Sequence, residues 1–280
     1  TMSGVILMAS QVGGAIAPLL VLPIQMRYGW RMSFYVFGAV GLLWAAAWHA
    51  WFRDSPAEKT GREPAADDGT AAPGHGARFP WRAAFRSPTV LAILGVAFCY
   101  IYVYNFFQTW FHTFLVNGRN VSESGLFLSA LPFIVAVVAN LAGGAVSDAS
   151  VRRLGRGAGR RVVGAASLLM AAGFTGATMM TTDPALSVVL LALAYGAITF
   201  QQSGVFGVCL DVGGVHAGAM VGLMNTVAQV GGFLGSVLYG YIVDRTGSYD
   251  APFVPMTAVL VIGALCWLKV DASRPVTATA

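Results

Sequence analysis

Eight stretches of this chain contain no Asp, Glu, Lys or Arg: residues 1–26, 32–52, 87–118, 124–147, 162–182, 184–210, 212–243 and 251–268. Crossing about 30 Å of hydrocarbon takes roughly 20 mostly apolar residues in a helix. All eight runs are near or above that length. In lipid the backbone must satisfy its own hydrogen bonds, so each run is expected to be a helix. Transmembrane strands would instead show short alternating segments. Composition agrees. The 280 residues are 56% hydrophobic and 10% charged, where a soluble domain carries about 25% charge. The expectation is an all-α membrane protein with eight spans. The first run has neither the basic start nor the small-residue cleavage site of a signal peptide.

The net charge of +5 is informative by position. Thirteen of the Lys and Arg residues fall within 53–86, 152–161 and 269–274, on one predicted side of the membrane. The other side holds four: Arg27, Arg31, Arg119 and Arg245. Basic loops stay cytoplasmic, which places both ends of this chain inside. The basic residues therefore need no nucleic-acid partner. The three cysteines are odd in number and lack metal spacing. No phosphate loop follows a strand, and no Ser/His/Asp arrangement has support. Neither an enzyme nor a cofactor or metal is expected.

Residues 53–87 are rich in Ala, Gly, Pro and charges of both signs. Such a segment cannot bury enough apolar surface to order itself and reads as a linker. It separates two spans (1–52) from six (88–280). One phrase occurs on both sides of it. Residues 9–20 read ASQVGGAIAPLL and residues 227–238 read VAQVGGFLGSVL, at an offset of 218. The same offset lays Gly4 over Gly222 and Gly29 over Gly247. The copies are six spans apart, so they share orientation, as parallel repeats about an axis along the membrane normal do. If 88–280 is a full set of six, span seven is its fifth helix. Span one is then the fifth helix of a preceding set whose first four helices are absent.

Polar groups inside a membrane are costly and face a cavity or another helix. Ser10 and Gln11 stand in span one. Span three holds Tyr100, Tyr104 and Gln108 at i, i+4 and i+8, with Asn105 next round the helix. Gln201 and Gln202 are adjacent in span six and cannot share a face, so one can bind a solute while the other packs. Asn225 and Gln229 lie one turn apart in span seven. Amides and hydroxyls can donate to a carboxylate and accept from sugar hydroxyls. Helix–helix bonding is the plain alternative for each. None of the eight runs contains Asp, Glu, Lys or Arg to carry a proton or meet an anion.

Two six-helix sets, a cytoplasmic central loop and the repeated Gly phrase resemble the major facilitator superfamily. GGAVSDASVRRLGRGAGRR (143–161) looks like that superfamily's cytoplasmic signature, with Asp148, Arg152, Arg153, Arg160 and Arg161 in its positions and Ala149 where Arg is usual. More narrowly, the chain is similar to the anion:cation symporter family. The stretches GWRMSFYVFGAVGLLW, NFFQTWFHTFLVNGRNVSESG, LSALPFIVAVVANLAGGAVSD and VGLMNTVAQVGGFLGSVLYGYIVDRTGSY carry that likeness. His112 and Phe114 depart from the family's usual Trp-x-Pro-Thr-Tyr.

The resemblance implies helices 5–12 of a twelve-helix, two-bundle carrier. It implies a monomer in a bacterial inner membrane that takes up a small organic anion, such as a sugar acid, with protons by alternating access. Solute-site residues would be Ser10, Gln11, Tyr104, Asn105, Gln108, Gln201, Gln202, Asn225 and Gln229. Asn225 matches a polar position of the family's eleventh helix. Asp148, Arg152 and Arg153 would form a cytoplasmic gate, with Asp148 meeting a helix N-terminus. The family's coupling charges lie mainly in its first and fourth helices. A non-transporting receptor or scaffold on the same fold, and a drug/proton antiporter, are the competing readings.

Overall fold

In the computed structural model, residues 2–52, 79–121 and 128–272 are described, and among them every regular element is helical. The order is α1 (Met2–Tyr28), α2 (Trp30–Trp51), α3 (Trp81–Arg86), α4 (Pro88–Thr109), α5 (Leu131–Thr178), α6 (Pro184–Phe200), α7 (Gln202–Gly213), α8 (Ala217–Thr246) and α9 (Phe253–Leu268). Trp30–Trp51 and Pro88–Thr109 are each long and apolar enough to cross a membrane, and the apolar stretches Leu128–Thr178 and Pro184–Thr246 are longer still. Each of the eight charge-free runs is helical over most of its described length.

The 48 residues of α5 would extend about 72 Å if straight, far beyond one bilayer core. They do not run straight. Gly155 takes φ 80°, ψ 167°, a backbone conformation open to glycine. The chain folds back there, so that a Cβ on Gly159 would lie 2.6 Å from the Ser150 carbonyl. Two spans, 131–154 and 156–178, result. The repeated phrase has a backbone counterpart. Gly29 and Gly247, matched at the offset of 218, both have positive φ, at 81° and 67°. Each follows a helix of its own repeat and ends it where an L side chain would be strained.

Two compact units form: residues 1–13 with 79–280, and residues 14–78. In the smaller unit α2 is exposed along nearly its whole length, with Ser33 buried. Its rings pair along the helix: Trp30 edge-on to Phe34 at 5.9 Å, and Trp48 stacked on Phe52 at 4.3 Å. Residues 53–78 of the expected linker lie outside the described residues, as do 122–127 and 273–280. The last part of the 53–87 segment differs from the expectation, because α3 is a folded helix within it. Ala84 is fully buried, and the Phe79 ring meets Trp81 at 4.7 Å and His216 at 5.7 Å. These few apolar side chains find partners that average composition conceals.

The larger unit is built around α4, which packs against α8, α9, α7 and α6. Ser87 caps α4 by accepting from the Val90 amide at 3.5 Å, and Pro88 occupies its first turn. The α4–α8 seam is close because of small residues in the second copy of the phrase. Cβ atoms on Gly231 and Gly235 would overlap the carbonyls of Phe98 and Tyr102.

Beyond α4 the chain makes a single turn (Phe111–Thr113) and a π-helical turn (Phe114–Gly118), and then reaches Arg119. Its guanidinium donates to Asp250 Oδ1 at 2.6 Å and Oδ2 at 3.0 Å. It also donates to Ser187 Oγ at 2.9 Å and to the carbonyls of Thr178 and Thr181 at 3.4 and 3.1 Å, and it lies over the Phe114 ring. One side chain thus ties four segments together at one end of the helices.

Candidate functional site

The expected solute-site residues separate into three groups. Gln11, Tyr104 and Gln108 come together. Asn105, Gln201 and Gln202 are taken up in helix packing. Ser10, Asn225 and Gln229 are exposed.

The first group meets on a residue that sequence reasoning missed. Tyr195, in α6, has no exposed surface. Gln108 donates from Nε2 to the Tyr195 hydroxyl at 3.1 Å. Tyr195 in turn donates to Gln11 Oε1 at 3.3 Å. Gln11, 4% exposed, donates from Nε2 to the Tyr104 hydroxyl at 3.4 Å. The Tyr104 and Tyr195 rings lie 5.2 Å apart, and Phe107 and Phe133 close round Tyr195 at 4.6 and 5.4 Å. Side chains from α1, α4 and α6 therefore form one neutral circuit inside an aromatic cage. Gln108 stands at its exposed end and Tyr195 at its buried centre. The clue to Tyr195 was faint: one hydroxyl in the otherwise apolar stretch LLALAYGAI.

One residue along, the chemistry changes. Asn105 sits about 100° round α4 from Tyr104. Both Nδ2 hydrogens are engaged on α8, by Gly232 O at 2.8 Å and Ser236 Oγ at 2.9 Å. Thr109 and Trp110 extend the same seam to Ser236. Asn105 staples two helices, the alternative that applies to any polar group in a span. Gln201 does likewise at the break between α6 and α7. It is 1% exposed, and its Oε1 accepts from Trp267 Nε1 at 3.0 Å. Gln202 is also buried.

The basic signature divides at the Gly155 reversal. Arg152 and Arg153 are exposed on α5. Arg160 and Arg161, after the Gly155 reversal, each meet a neighbouring segment. Arg160 pairs with Asp211 of α7 at 2.9 Å, and Arg161 donates to Val270 O at 3.1 Å. A pocket of about 160 Å³ lies here, lined by Ser147, Asp148, Arg160, Ser203 and Asp211 among others. Gly207 lets the Arg160 guanidinium approach α7 closely, because a Cβ there would overlap Nη1. Asp148 thus lies beside the Arg160–Asp211 pair. Asp211 is the only acidic residue from 184 to 243, which was the available signal. No cluster of three metal-ligating side chains occurs among the described residues.

A family model of the Major Facilitator Superfamily matches residues 1–236. The chain belongs to this superfamily. A second model, described as vacuole effluxer Atg22 like, matches residues 219–279. Among curated relatives, a probable sulfoacetate transporter of Cupriavidus necator is 35% identical over 94% of this chain and 62% of its own length. A hexuronate transporter of Bacillus subtilis is 29% identical over 95% of this chain and 64% of its own. A chloroplastic ascorbate transporter of Arabidopsis thaliana is 31% identical, over 93% and 48%. The chain thus spans less than two thirds of these relatives' length. They are transporters of the superfamily, not enzymes. The helical architecture described above is that of an all-α membrane protein of this superfamily.

Proposed function

We propose that this chain is part of a secondary active transporter that moves a small organic anion, with protons, by alternating access. The observation that carries the reading is the convergence of Gln11, Tyr104 and Gln108 on one circuit, with an exposed amide at its end. Amides and hydroxyls in a low-dielectric setting can replace an anion's water shell without a fixed cation. The sulfoacetate, hexuronate and ascorbate carriers among the relatives support this solute class.

In this reading residues 1–52 are helices five and six of a twelve-helix carrier, 53–87 the cytoplasmic connection, and 88–280 the second six-helix bundle. The 152–161 cluster lies on the cytoplasmic side of a bacterial inner membrane, as do both ends of this chain. Asp148, with the Arg160–Asp211 pair, forms the inner gate. The protein works as a monomer, and the coupling carboxylate lies outside these eight runs, which contain none.

The test is uptake of radiolabelled sulfoacetate, a hexuronate and ascorbate by the complete protein, with and without a protonophore. Accumulation of at least one, abolished by the protonophore, is the expected result. Binding without flux would favour a receptor, and extrusion of hydrophobic cations an antiporter. Asn225, exposed on α8, is proposed to face the solute. Asn225→Ala should raise the apparent KM about tenfold, with surface expression unchanged, since a hydrogen bond to a charged group is typically worth that much. Normal KM in that variant would remove Asn225 from the site.

A further inference from the structure

We infer that Tyr195 is a positioning residue of the solute site: it touches no solute, and its hydroxyl holds Gln11 and Gln108 in register. The inference rests on the anion-carrier reading above. Its basis is the way the hydroxyl is used. Buried tyrosines usually bring their O–H to a fixed partner. Tyr239 shows that plain case, donating to the backbone carbonyl of Tyr249 at 3.2 Å. Tyr195 differs. It has no exposed surface, yet its oxygen binds two side-chain amides from two other helices, α1 and α4.

A hydroxyl has one proton to give. With that proton on Gln11 Oε1, Gln11 is held carbonyl-inward and its NH2 turns to Tyr104. The hydroxyl oxygen is then left to accept from Gln108 Nε2, so Gln108 is held amide-inward. Its carbonyl and its second N–H take no part in that bond, and the residue is exposed. The two amides are therefore set in opposite senses by a single group. Gln108 is exposed, so without that tether its side chain would sample many rotamers and would have to be ordered each time a solute bound. The phenyl ring has separate work, filling the cage of Tyr104, Phe107 and Phe133. Phenylalanine can keep that packing and remove only the tether.

The experiment is transport kinetics for sulfoacetate, a hexuronate and ascorbate in the complete protein, reconstituted in proteoliposomes. Tyr195→Phe should raise KM about five- to twentyfold for the transported anion and leave kcat within about twofold. Combined with Gln108→Ala, its effect should be smaller than the product of the two single effects, because the group it positions is gone. Tyr239→Phe is the structural control and should leave KM unchanged, whatever it does to thermal stability. Unchanged KM in Tyr195→Phe, or effects that multiply fully with Gln108→Ala, would overturn the inference while leaving the carrier reading intact. If the unaltered protein neither binds nor moves any of the three anions, the carrier reading falls, and the role of Tyr195 falls with it.

Discussion

Arg119→Ala is expected to lower the thermal midpoint of the detergent-solubilised protein by about 5–10 °C, and to reduce the yield of monodisperse material on size-exclusion chromatography. Breaking a buried ion pair typically costs about 3–5 kcal/mol. The side chain of Arg119 is 4% exposed and that of Asp250 37%. Once the arginine is gone water can reach the carboxylate, which puts the loss toward the lower end of that range. The other acceptors cannot recover so readily: the carbonyls of Thr178 and Thr181 and the hydroxyl of Ser187 lose a shared donor. Arg119→Lys keeps the charge and loses the two-pronged grip on Asp250, so it should fall between alanine and wild type. A midpoint unchanged in Arg119→Ala would show that the four joined segments hold together without it.

Gly231→Val should be the more damaging of the two, removing most folded protein from detergent extracts. The Cβ of any residue at 231 overlaps the Phe98 carbonyl, which is backbone and cannot rotate away. Relief requires α4 and α8 to separate, and separation breaks the bonds from Asn105 to Gly232 O and Ser236 Oγ. Overpacking alone typically costs about 1–3 kcal/mol, and the lost staple adds to it. The same helix supplies its own control. A Cβ at Gly222 meets nothing within 4 Å. Gly222→Ala should therefore be neutral, or stabilise by about 0.5–1 kcal/mol through helix propensity. Equal expression of Gly231→Val and Gly222→Ala would refute this account of the seam.

The glycines of the 227–238 phrase were legible as a repeat before any coordinates, and their use as a close-approach surface follows from their size. The partnership of Arg119 with Asp250 was not legible. They are 131 positions apart, and in a linear reading each is one more loop charge. The same holds across the candidate site. Spacing correctly put Tyr104 and Gln108 on one face of α4. It could not separate Tyr104, in the circuit, from Asn105, in the α4–α8 seam. That depends on which neighbour lies on each side of the helix. The basic signature at 143–161 shows the limit again. A run of arginines marks an end of the helices, but only the reversal at Gly155 decides that Arg160 and Arg161 turn inward while Arg152 and Arg153 stay exposed.

By itself the sequence determined the helical class, the eight apolar runs, the sixfold spacing of the repeated phrase and the superfamily. Those properties are written locally, because in hydrocarbon each segment must satisfy its own backbone and a charge-free stretch of sufficient length has one way to do so. The tertiary structure alone decided that the hydroxyl of Tyr195 gathers two distant glutamines, that Asn105 and Gln201 bond to neighbouring helices, and that Arg119 closes one end of the helices. Those outcomes depend on which faces of which helices meet. Small residues allow that approach, and polar side chains of the same type become site or staple according to the partner within 3 Å or so.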